Sequence, residues 1–183
     1  MILTGPEIQR QVNADRITID PFEPKHINPA SYDLTLGDKV GWVRARRGTG
    51  FSFVYDIRRP VGMYYETIGE DGFVLQPEEG YLMHTRERVR TDHYVPVLDG
   101  KSSLGRLFVS VHQTAGYGDP GFDGQYTLEV TTVYPVRIYA GMRIAQMRFH
   151  MLFGEVALYK GNYQGEGAIG PVASRAHKQF EEP

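Results

Sequence analysis

The chain has 183 residues, 41% of them hydrophobic and 23% charged, with a formal net charge of −2 at pH 7. This balance is typical of one globular domain and gives no sign of a nucleic-acid-binding protein. The lack of cysteine excludes disulfides and thiolate metal sites, and no apolar run approaches the roughly 20 residues of a membrane-spanning helix. Because the first ten residues also lack the pattern of a signal peptide, we expect a cytoplasmic protein without a membrane partner.

The N-terminal segment predicts a short helix. Thr4 is suited to cap it, with Glu7 three residues later as the second member of a capping box. Pro6 is tolerated in a first helical turn. Ile8 and Val12 lie four residues apart, so they share one face of this helix.

The rest of the chain predicts short β-strands, because aromatic and β-branched runs alternate with 21 glycines and 11 prolines. We expect strands at residues 32–36, 40–43, 51–57, 73–75, 81–85, 107–112, 126–133, 136–139 and 144–152. Residues 44–50 are expected to form an exposed basic loop, and the arginine-rich residues 86–90 a solvated strand or loop edge. The pattern indicates an all-β barrel or sandwich without a second domain.

Residues 99–106, with the sequence Asp-Gly-Lys-Ser-Ser-Leu-Gly-Arg, have the composition of a phosphate site. Ser102 and Ser103 offer hydroxyls, and Lys101 and Arg106 flank them with positive charge. If a helical turn begins here, its N–H groups and dipole favour an anion. Taken alone, a serine-capped helix start is the more ordinary explanation, because the Walker spacing is absent.

Two neighbouring segments could add a binding loop and a base. Residues 116–124 hold four glycines, which permit close backbone approach to a ligand, and Asp119 and Phe122 add a carboxylate and an aromatic ring. In the next predicted strand, Thr127 and Glu129 share the face opposite Leu128. A buried glutamate there would suit general-base chemistry near neutral pH, whereas a plain turn and a solvent-facing glutamate remain the alternatives.

The six histidines are scattered, without an H-x-H or H-E-x-x-H pattern, so a metal site built on histidines is not expected. Zinc-dependent nucleobase deaminases use cysteine ligands together with histidine or with further cysteines. The absence of cysteine therefore excludes that mechanism in its usual form.

Together these segments resemble the dCTP deaminase branch of the trimeric dUTPase superfamily, over nearly the whole chain and most strongly over residues 98–148. Residues 100–106 are similar to the G-[RK]-S-S-L-[AG]-R element, and residues 112–122 to H-x-T-A-G-x-x-D-x-G-[FW]. Residues 127–129 match T-L-E, and residues 141–146 match G-M-x-I-G-Q. Residues 17–22, 27–37, 163–165 and 173–175 resemble the family's N-terminal stretch and tail.

The resemblance implies a mainly β, distorted β-barrel or jelly-roll-like dUTPase fold with a short N-terminal helix. It implies one domain over residues 1–183, in which the tail, residues 154–183, closes over the active site. It also implies a homotrimer with active sites shared between subunits. The expected substrate is a deoxynucleoside triphosphate that brings its own Mg²⁺, with no zinc and no metal held by protein side chains alone.

The same resemblance assigns roles to individual residues. Glu129 would activate water for attack at C4 of cytosine, and Ala115 would line the pocket for that water. Ser102 and Arg106 would hold the triphosphate or position the water and amine, with Arg106 reaching from a neighbouring subunit. The expected substrate-binding residues are Lys101 and Ser103 for phosphates, Asp119 for the deoxyribose 3′-hydroxyl, Gln146 for phosphate, and also Thr127, Tyr159, Tyr163 and Glu166.

Some residues depart from the family pattern. Gly118 stands where relatives usually carry a bulky aliphatic side chain, so a looser hairpin is expected. In the tail, Asn162 replaces a common lysine and Glu166 a common glutamine. These two changes would weaken triphosphate binding unless Lys160 or Arg175 compensates.

The reaction favoured by these motifs is hydrolytic deamination of dCTP to dUTP and ammonia. A bifunctional deaminase and pyrophosphatase that forms dUMP is the main alternative, indicated by Gly105 and by residues 113–116. A dUTPase or dCTP pyrophosphatase is a further alternative. A nucleotide-binding regulator without turnover is the least favoured, because Ser102, Arg106, Asp119 and Glu129 are all present.

Overall fold

The computed structural model describes residues 1–43, 55–164 and 170–181. Its helices are α1 (Gly5–Asn13) and α2 (Ser102–Gly105), with 3-10 turns at Pro24–His26 and Ala176–Phe180. Its strands are β1 (Thr18–Asp20), β2 (Tyr32–Thr35), β3 (Lys39–Val43), β4 (Met63–Thr67), β5 (Phe73–Leu75), β6 (Tyr81–Arg90), β7 (Tyr94–Gly100), β8 (Val109–Ser110), β9 (Asp123–Thr132), β10 (Val136–Ile138) and β11 (Arg143–Met151). The predicted mainly β fold with a short N-terminal helix is confirmed.

The strands pair into three antiparallel sheets. The largest runs in the order β4-β3-β6-β9-β8, with β1 also paired to β6. A second sheet has the order β2-β11-β7, and β10 pairs with β5 in the third. Within the described ranges no sheet closes on itself, so the expected barrel takes the form of open sheets packed together.

The core lies between these sheets and follows the two-residue period of the strands. Leu34 of β2, Met83 of β6, Leu128 of β9 and Phe149 of β11 are fully buried. Burying one such side chain stabilises the fold by about 1.5–3 kcal/mol. On β9 the even-numbered residues from Leu128 onward are buried, so the odd-numbered residues lie on the opposite face.

Helix α1 forms where predicted, but the predicted capping box is wrong. Thr4 occupies the N-cap position without a side-chain hydrogen bond. The Glu7 carboxylate instead accepts hydrogen bonds from Arg10 and Gln11 within the helix. Ile8 is fully buried, so packing of the apolar face holds this helix in place.

Residues 86–90 continue strand β6 and expose their arginines, which agrees with a solvated strand, but the strand is paired on both sides and is not an edge or a loop. Alternation explains the misleading composition, because Arg86, Arg88 and Arg90 are exposed while Glu87 points inward with 1% of its surface exposed. The Glu87 carboxylate accepts hydrogen bonds from the Thr35 backbone N–H at 2.8 Å and the Thr35 hydroxyl at 2.6 Å. A buried carboxylate with this many donors joins β2 to β6.

Other strand predictions differ from the structure in extent. Only Val109–Ser110 of the predicted strand 107–112 pairs, because Phe108 adopts a positive φ of 57°. The predicted loop 44–50 and the first part of the predicted strand 51–57 lie outside the described residues, and residues 55–57 are not a strand. Strands β1, β4 and β7 were not predicted.

Candidate active site

A cleft of about 530 Å³ lies over the odd-numbered face of β9. The glycine-rich segment before β9 forms one wall, and the tail forms another. The lining residues include Gln113, Ala115, Tyr117, Gly118, Asp119, Phe122, Gln125, Tyr126, Thr127, Glu129, Tyr159, Tyr163, Val172, Ser174 and Arg175.

Glu129 faces this cleft from the centre of β9. Its neighbours Leu128 and Val130 are buried on the opposite face, as the alternation predicts. Glu129 itself is half-buried, and one carboxylate oxygen accepts a hydrogen bond from the Gln113 backbone N–H at 3.2 Å. Within the described residues the second carboxylate oxygen has no hydrogen-bond partner, and Ala115 lines the same cleft two residues after Gln113.

The glycine-rich wall is packed tightly against β7. The Gly118 backbone N–H donates to the Pro96 carbonyl at 2.8 Å, and the Leu98 N–H donates to the Gly116 carbonyl at 2.7 Å. A Cβ atom on Gly118 would lie 2.5 Å from the Tyr126 hydroxyl oxygen. The expectation of a looser hairpin is therefore wrong, because Tyr126 fills the space that a larger residue at position 118 would take.

Aromatic rings form the part of the cleft next to Asp119. The Phe122 ring contacts Tyr126 edge-on at 5.0 Å and Tyr159 at 5.9 Å between centroids. Burial raises the pKa of Tyr126, and the nearby Asp119 charge raises it further. Tyr126 therefore stays neutral, and it packs as an aromatic wall beside the Asp119 carboxylate.

The tail runs along β9 and covers part of the cleft. The Gly170 N–H donates to the Gln125 side chain and the Val172 N–H to the Thr127 hydroxyl, each at 3.1 Å. Arg175 lies over the Tyr163 ring at 5.8 Å, and its guanidinium donates to the Asn162 carbonyl. Arg175 thus supplies a positive charge at the cleft, which the neutral Asn162 cannot do. Glu166 lies outside the described residues.

The predicted phosphate residues lie elsewhere on the chain. A helical turn forms here as α2, but its N-cap residue is Lys101 and it has no side-chain cap hydrogen bond, so the serine-capped helix start is wrong. Ser102, Ser103 and Arg106 are exposed. Lys101 and Gln146 lie beside it, at the ends of the paired strands β7 and β11. Among the described residues that line the cleft, none belongs to this group. The structure therefore separates the predicted site into a cleft half and a phosphate half.

Asp33 organises the phosphate half and was not among the predicted residues. It is buried, with 1% of its surface exposed, and its carboxylate contacts Lys101 Nζ at 2.5 Å and Arg143 Nη1 at 3.4 Å. The Asn28 amide donates to the same carboxylate at 2.8 Å. The sequence did contain a signal for a functional role of Asp33. It is a charged residue between apolar positions of a short strand, inside the segment 27–37 that resembles the family.

Gln146 is held in this half by its own side chain. Its Nε2 donates to the Gly100 carbonyl at 3.1 Å, and its Oε1 accepts from the Ser31 hydroxyl at 3.2 Å. The group thus presents two cations, hydroxyls and an amide at one sheet end, which suits an anionic ligand.

The described residues hold no group of three or more His, Asp or Glu side chains placed to bind a metal ion. Among the described residues there is also no helix long and apolar enough to cross a bilayer.

A profile of the dCTP deaminase-like family matches residues 2–152. A protein of Clostridium acetobutylicum named dCTP deaminase, dUMP-forming, is 41% identical over 181 residues, covering 98% of this chain and 99% of that one. A protein of the same name from Leptospira biflexa is 40% identical over 182 residues, with 99% of each chain covered.

The crystal structure of 2′-deoxycytidine 5′-triphosphate deaminase from Agrobacterium tumefaciens matches this fold with a TM-score of 0.64 and 24% identity. The match covers 82% of this chain and 48% of that one, so this chain corresponds to about half of that protein. At 24% identity, this structural similarity shows that the two proteins share a fold.

The chain belongs to the dCTP deaminase-like family, since the profile and relatives about 40% identical cover most or nearly all of it. The family recognised from the motifs is confirmed, and so is the expectation of a hydrolytic enzyme. The names of the relatives favour the dUMP-forming alternative over the dUTP-forming reaction that the motifs first indicated.

Proposed function

We propose that this protein converts dCTP and two water molecules into dUMP, ammonia and pyrophosphate. The observation that carries this proposal is Glu129, held at the centre of the cleft by the Gln113 N–H with one oxygen left for a ligand. Relatives named dUMP-forming, about 40% identical over almost the whole chain, support the end point. We therefore favour dUMP, and not dUTP, as the final nucleotide product.

In the deamination step, Glu129 takes a proton from a water molecule near Ala115 as the water oxygen bonds to C4 of cytosine. The carboxylic acid then returns this proton to the exocyclic nitrogen, the C4–N bond breaks and ammonia leaves. The remaining hydroxyl proton at C4 passes to N3, which gives the carbonyl of uracil. A carboxylate placed in this way typically contributes 10²–10⁴-fold to the rate. Asp119 would bind the 3′-hydroxyl, with the deoxyribose against the Phe122 and Tyr126 rings.

In the second step, water attacks the α-phosphorus, the bond to the bridging oxygen breaks, and pyrophosphate leaves. The triphosphate would be held by Lys101, Ser102, Ser103, Arg106 and Gln146. Asp33 would keep Lys101 in position for this contact, since its buried carboxylate holds the ammonium at 2.5 Å. When bound, magnesium would neutralise part of the phosphate charge.

The cleft and the phosphate half are separate in one chain, which supports a homotrimer that joins the cleft of one subunit to α2 of a neighbour. Arg106 would then reach the substrate from that neighbour. Exposed apolar side chains at Leu107 and Phe108, directly after Arg106, suit burial against another subunit. Tyr159 and Tyr163, with Thr127, would close the cleft around the base and sugar.

The proposal is tested by incubating the protein with dCTP and Mg²⁺ and measuring ammonia, pyrophosphate and nucleotides. We expect equal amounts of ammonia, pyrophosphate and dUMP. The Glu129→Gln variant should lose at least about 100-fold in ammonia release, because it cannot accept the proton. Glu155→Gln is a matched control at an exposed position outside the cleft and should match the unchanged protein.

Accumulation of dUTP without pyrophosphate would instead identify the deaminase that forms dUTP. Pyrophosphate without ammonia would identify a pyrophosphatase. Nucleotide binding without either product would identify a regulator and contradict the proposed catalysis.

A further inference from the structure

A second cleft of about 490 Å³ adjoins the first one at Glu129. Leu82, Gln113, Glu129 and Ser174 line both clefts, so the two are continuous. The proposed reaction places no part of dCTP in the second cleft, and Glu129 at its border is the proposed catalytic residue that the two clefts share.

The two clefts share one floor, the odd-numbered face of β9. The first cleft covers Gln125, Thr127 and Glu129, and the second covers Glu129 and Thr131. At about 3.4 Å per residue, this floor is about 20 Å long. Glu129 lies at the border, with Asp119 on the side of the first cleft only.

This order fixes which edge of a nucleobase would face the second cleft. The sugar of the proposed substrate lies at Asp119, and C4 of its cytosine lies at Glu129. In a pyrimidine ring C4 is opposite N1, which carries the sugar, and C5 is adjacent to C4. The C4 end of the ring therefore points past Glu129, away from the sugar and toward the second cleft. Of the two ring atoms beside C4, N3 carries no substituent in cytosine, so a group that extends into this cleft would be on C5.

The walls of the second cleft are largely apolar, and, apart from Glu129 at the border, its acidic and basic side chains lie close to partners. Its apolar lining includes Val43, Ile57, Val61, Met63 and Val130. The Asp56 carboxylate lies 3.7 Å from Arg59, and His177 lies 3.8 Å from Glu181. Such a lining suits an apolar group, since a polar one would lose hydration without gaining a partner.

We propose that the second cleft is a subsite for an apolar substituent on C5 of cytosine, so that the enzyme accepts 5-alkyl and 5-alkynyl dCTP as well as dCTP. This inference rests on the proposed function, because it depends on C4 being at Glu129. The same two steps would convert 5-methyl-dCTP into dTMP, ammonia and pyrophosphate.

The test compares kcat/KM for dCTP, 5-methyl-dCTP and 5-propynyl-dCTP. We expect the substituted substrates to retain kcat/KM within about tenfold of dCTP, since an apolar pocket that fits a group discriminates only weakly against it. In Val61→Trp, the ratio of kcat/KM for 5-propynyl-dCTP to that for dCTP should fall about tenfold or more, because the indole fills the subsite. Val156→Trp, at an exposed position that lines neither cleft, should leave this ratio unchanged.

Calorimetry with Glu129→Gln separates this inference from the proposed function, because it measures binding of 5-propynyl-dCTP and dCTP without turnover. Similar dissociation constants support the subsite even if the reaction products differ from those proposed. A loss of more than about 100-fold for 5-propynyl-dCTP overturns it. An unchanged ratio in Val61→Trp also overturns it, and Met63→Trp makes the same test if Val61→Trp does not fold.

Discussion

At the scale of single residues, Glu129 and Asp33 show how a carboxylate group can have two different roles. Glu129 is half-buried and keeps one oxygen open to the cleft, whereas Asp33 is buried and saturated by Asn28, Lys101 and Arg143. The open carboxylate can exchange a proton with a ligand. The saturated carboxylate can only hold the cations around it.

Replacing Asp33 by asparagine removes the charge that holds Lys101 and Arg143 together. We expect kcat/KM for dCTP to fall about tenfold, because the cations lose their fixed positions, with a smaller effect on dCMP. The free energy of unfolding should fall by about 1–3 kcal/mol. Steady-state kinetics on both nucleotides and urea denaturation measure these effects.

Asp99→Asn is the matched control, since Asp99 pairs with Arg148 at 2.8 Å in the same sheet. This variant should keep the wild-type preference between dCTP and dCMP. Tighter dCTP binding by Asp33→Asn would contradict the role given to Asp33, because Asp33 would then be competing with phosphate for Lys101.

His84 makes stability depend on pH. Burial lowers the pKa of His84 below its ordinary value of about 6.5, although hydrogen bonding to the Thr85 carbonyl and the Asp38 charge oppose this shift. The unfolded chain therefore binds the proton more readily than the folded one. The stability that neutral His84 contributes is fully present above about pH 6.5 and is lost as the pH falls toward the lowered pKa.

Urea denaturation between pH 5 and 8 measures this dependence. We expect His84→Gln to reduce the loss of stability on acidification, whereas His93→Gln, at an exposed position, should leave it as in the wild type. An unchanged slope in His84→Gln would show that other groups control the acid sensitivity.

At the scale of elements, β9 forms the floor of the cleft and the tail forms one of its walls. The tail is held to β9 by hydrogen bonds to the Gln125 and Thr127 side chains, so its position depends on the same strand that carries Glu129. Closure of the active site by residues 154–183 stays a prediction. The described part of this segment supplies Tyr159, Tyr163 and Arg175 to the cleft wall.

Removing the Arg175 side chain tests the tail. We expect Arg175→Ala to raise the KM for dCTP about tenfold, since the cation beside Tyr163 is lost, while the melting temperature changes little. Lys178→Ala changes an exposed cation three residues later that does not line the cleft, and it should leave the KM unchanged. Equal effects of the two variants would indicate a general charge effect rather than a contact in the cleft.

The sequence predicted those elements in which the apolar period was clear. The alternation around Leu128 predicted β9 and the face of Glu129 correctly, and Ile8 and Val12 predicted α1. For residues 86–90 the solvated strand was predicted but not its central place, because a central strand can expose arginines on one face and bury Glu87 on the other. The pairing partner that makes β6 central is distant in sequence, so local composition could not reveal it.

At the scale of the whole molecule, the predicted site residues fall into two groups. Ala115, Asp119, Thr127 and Glu129 meet in the cleft, with Tyr159 and Tyr163 from the tail. Lys101, Ser102, Ser103, Arg106 and Gln146 gather around α2 and the ends of β7 and β11. Motif order along the chain could not show this separation, nor the contacts of the buried Asp33, because both depend on three-dimensional packing.

Mixing two inactive variants tests whether one active site combines Glu129 of one subunit with Arg106 of another. Arg106→Ala and Glu129→Gln chains are co-expressed, and dCTP deamination is measured on oligomers shown by mass spectrometry to contain both. We expect each variant alone to be inactive and the mixed trimers to recover about a third of the wild-type rate, because each mixed trimer has one site of three with both residues intact. Mixed oligomers without recovered activity would contradict the shared site.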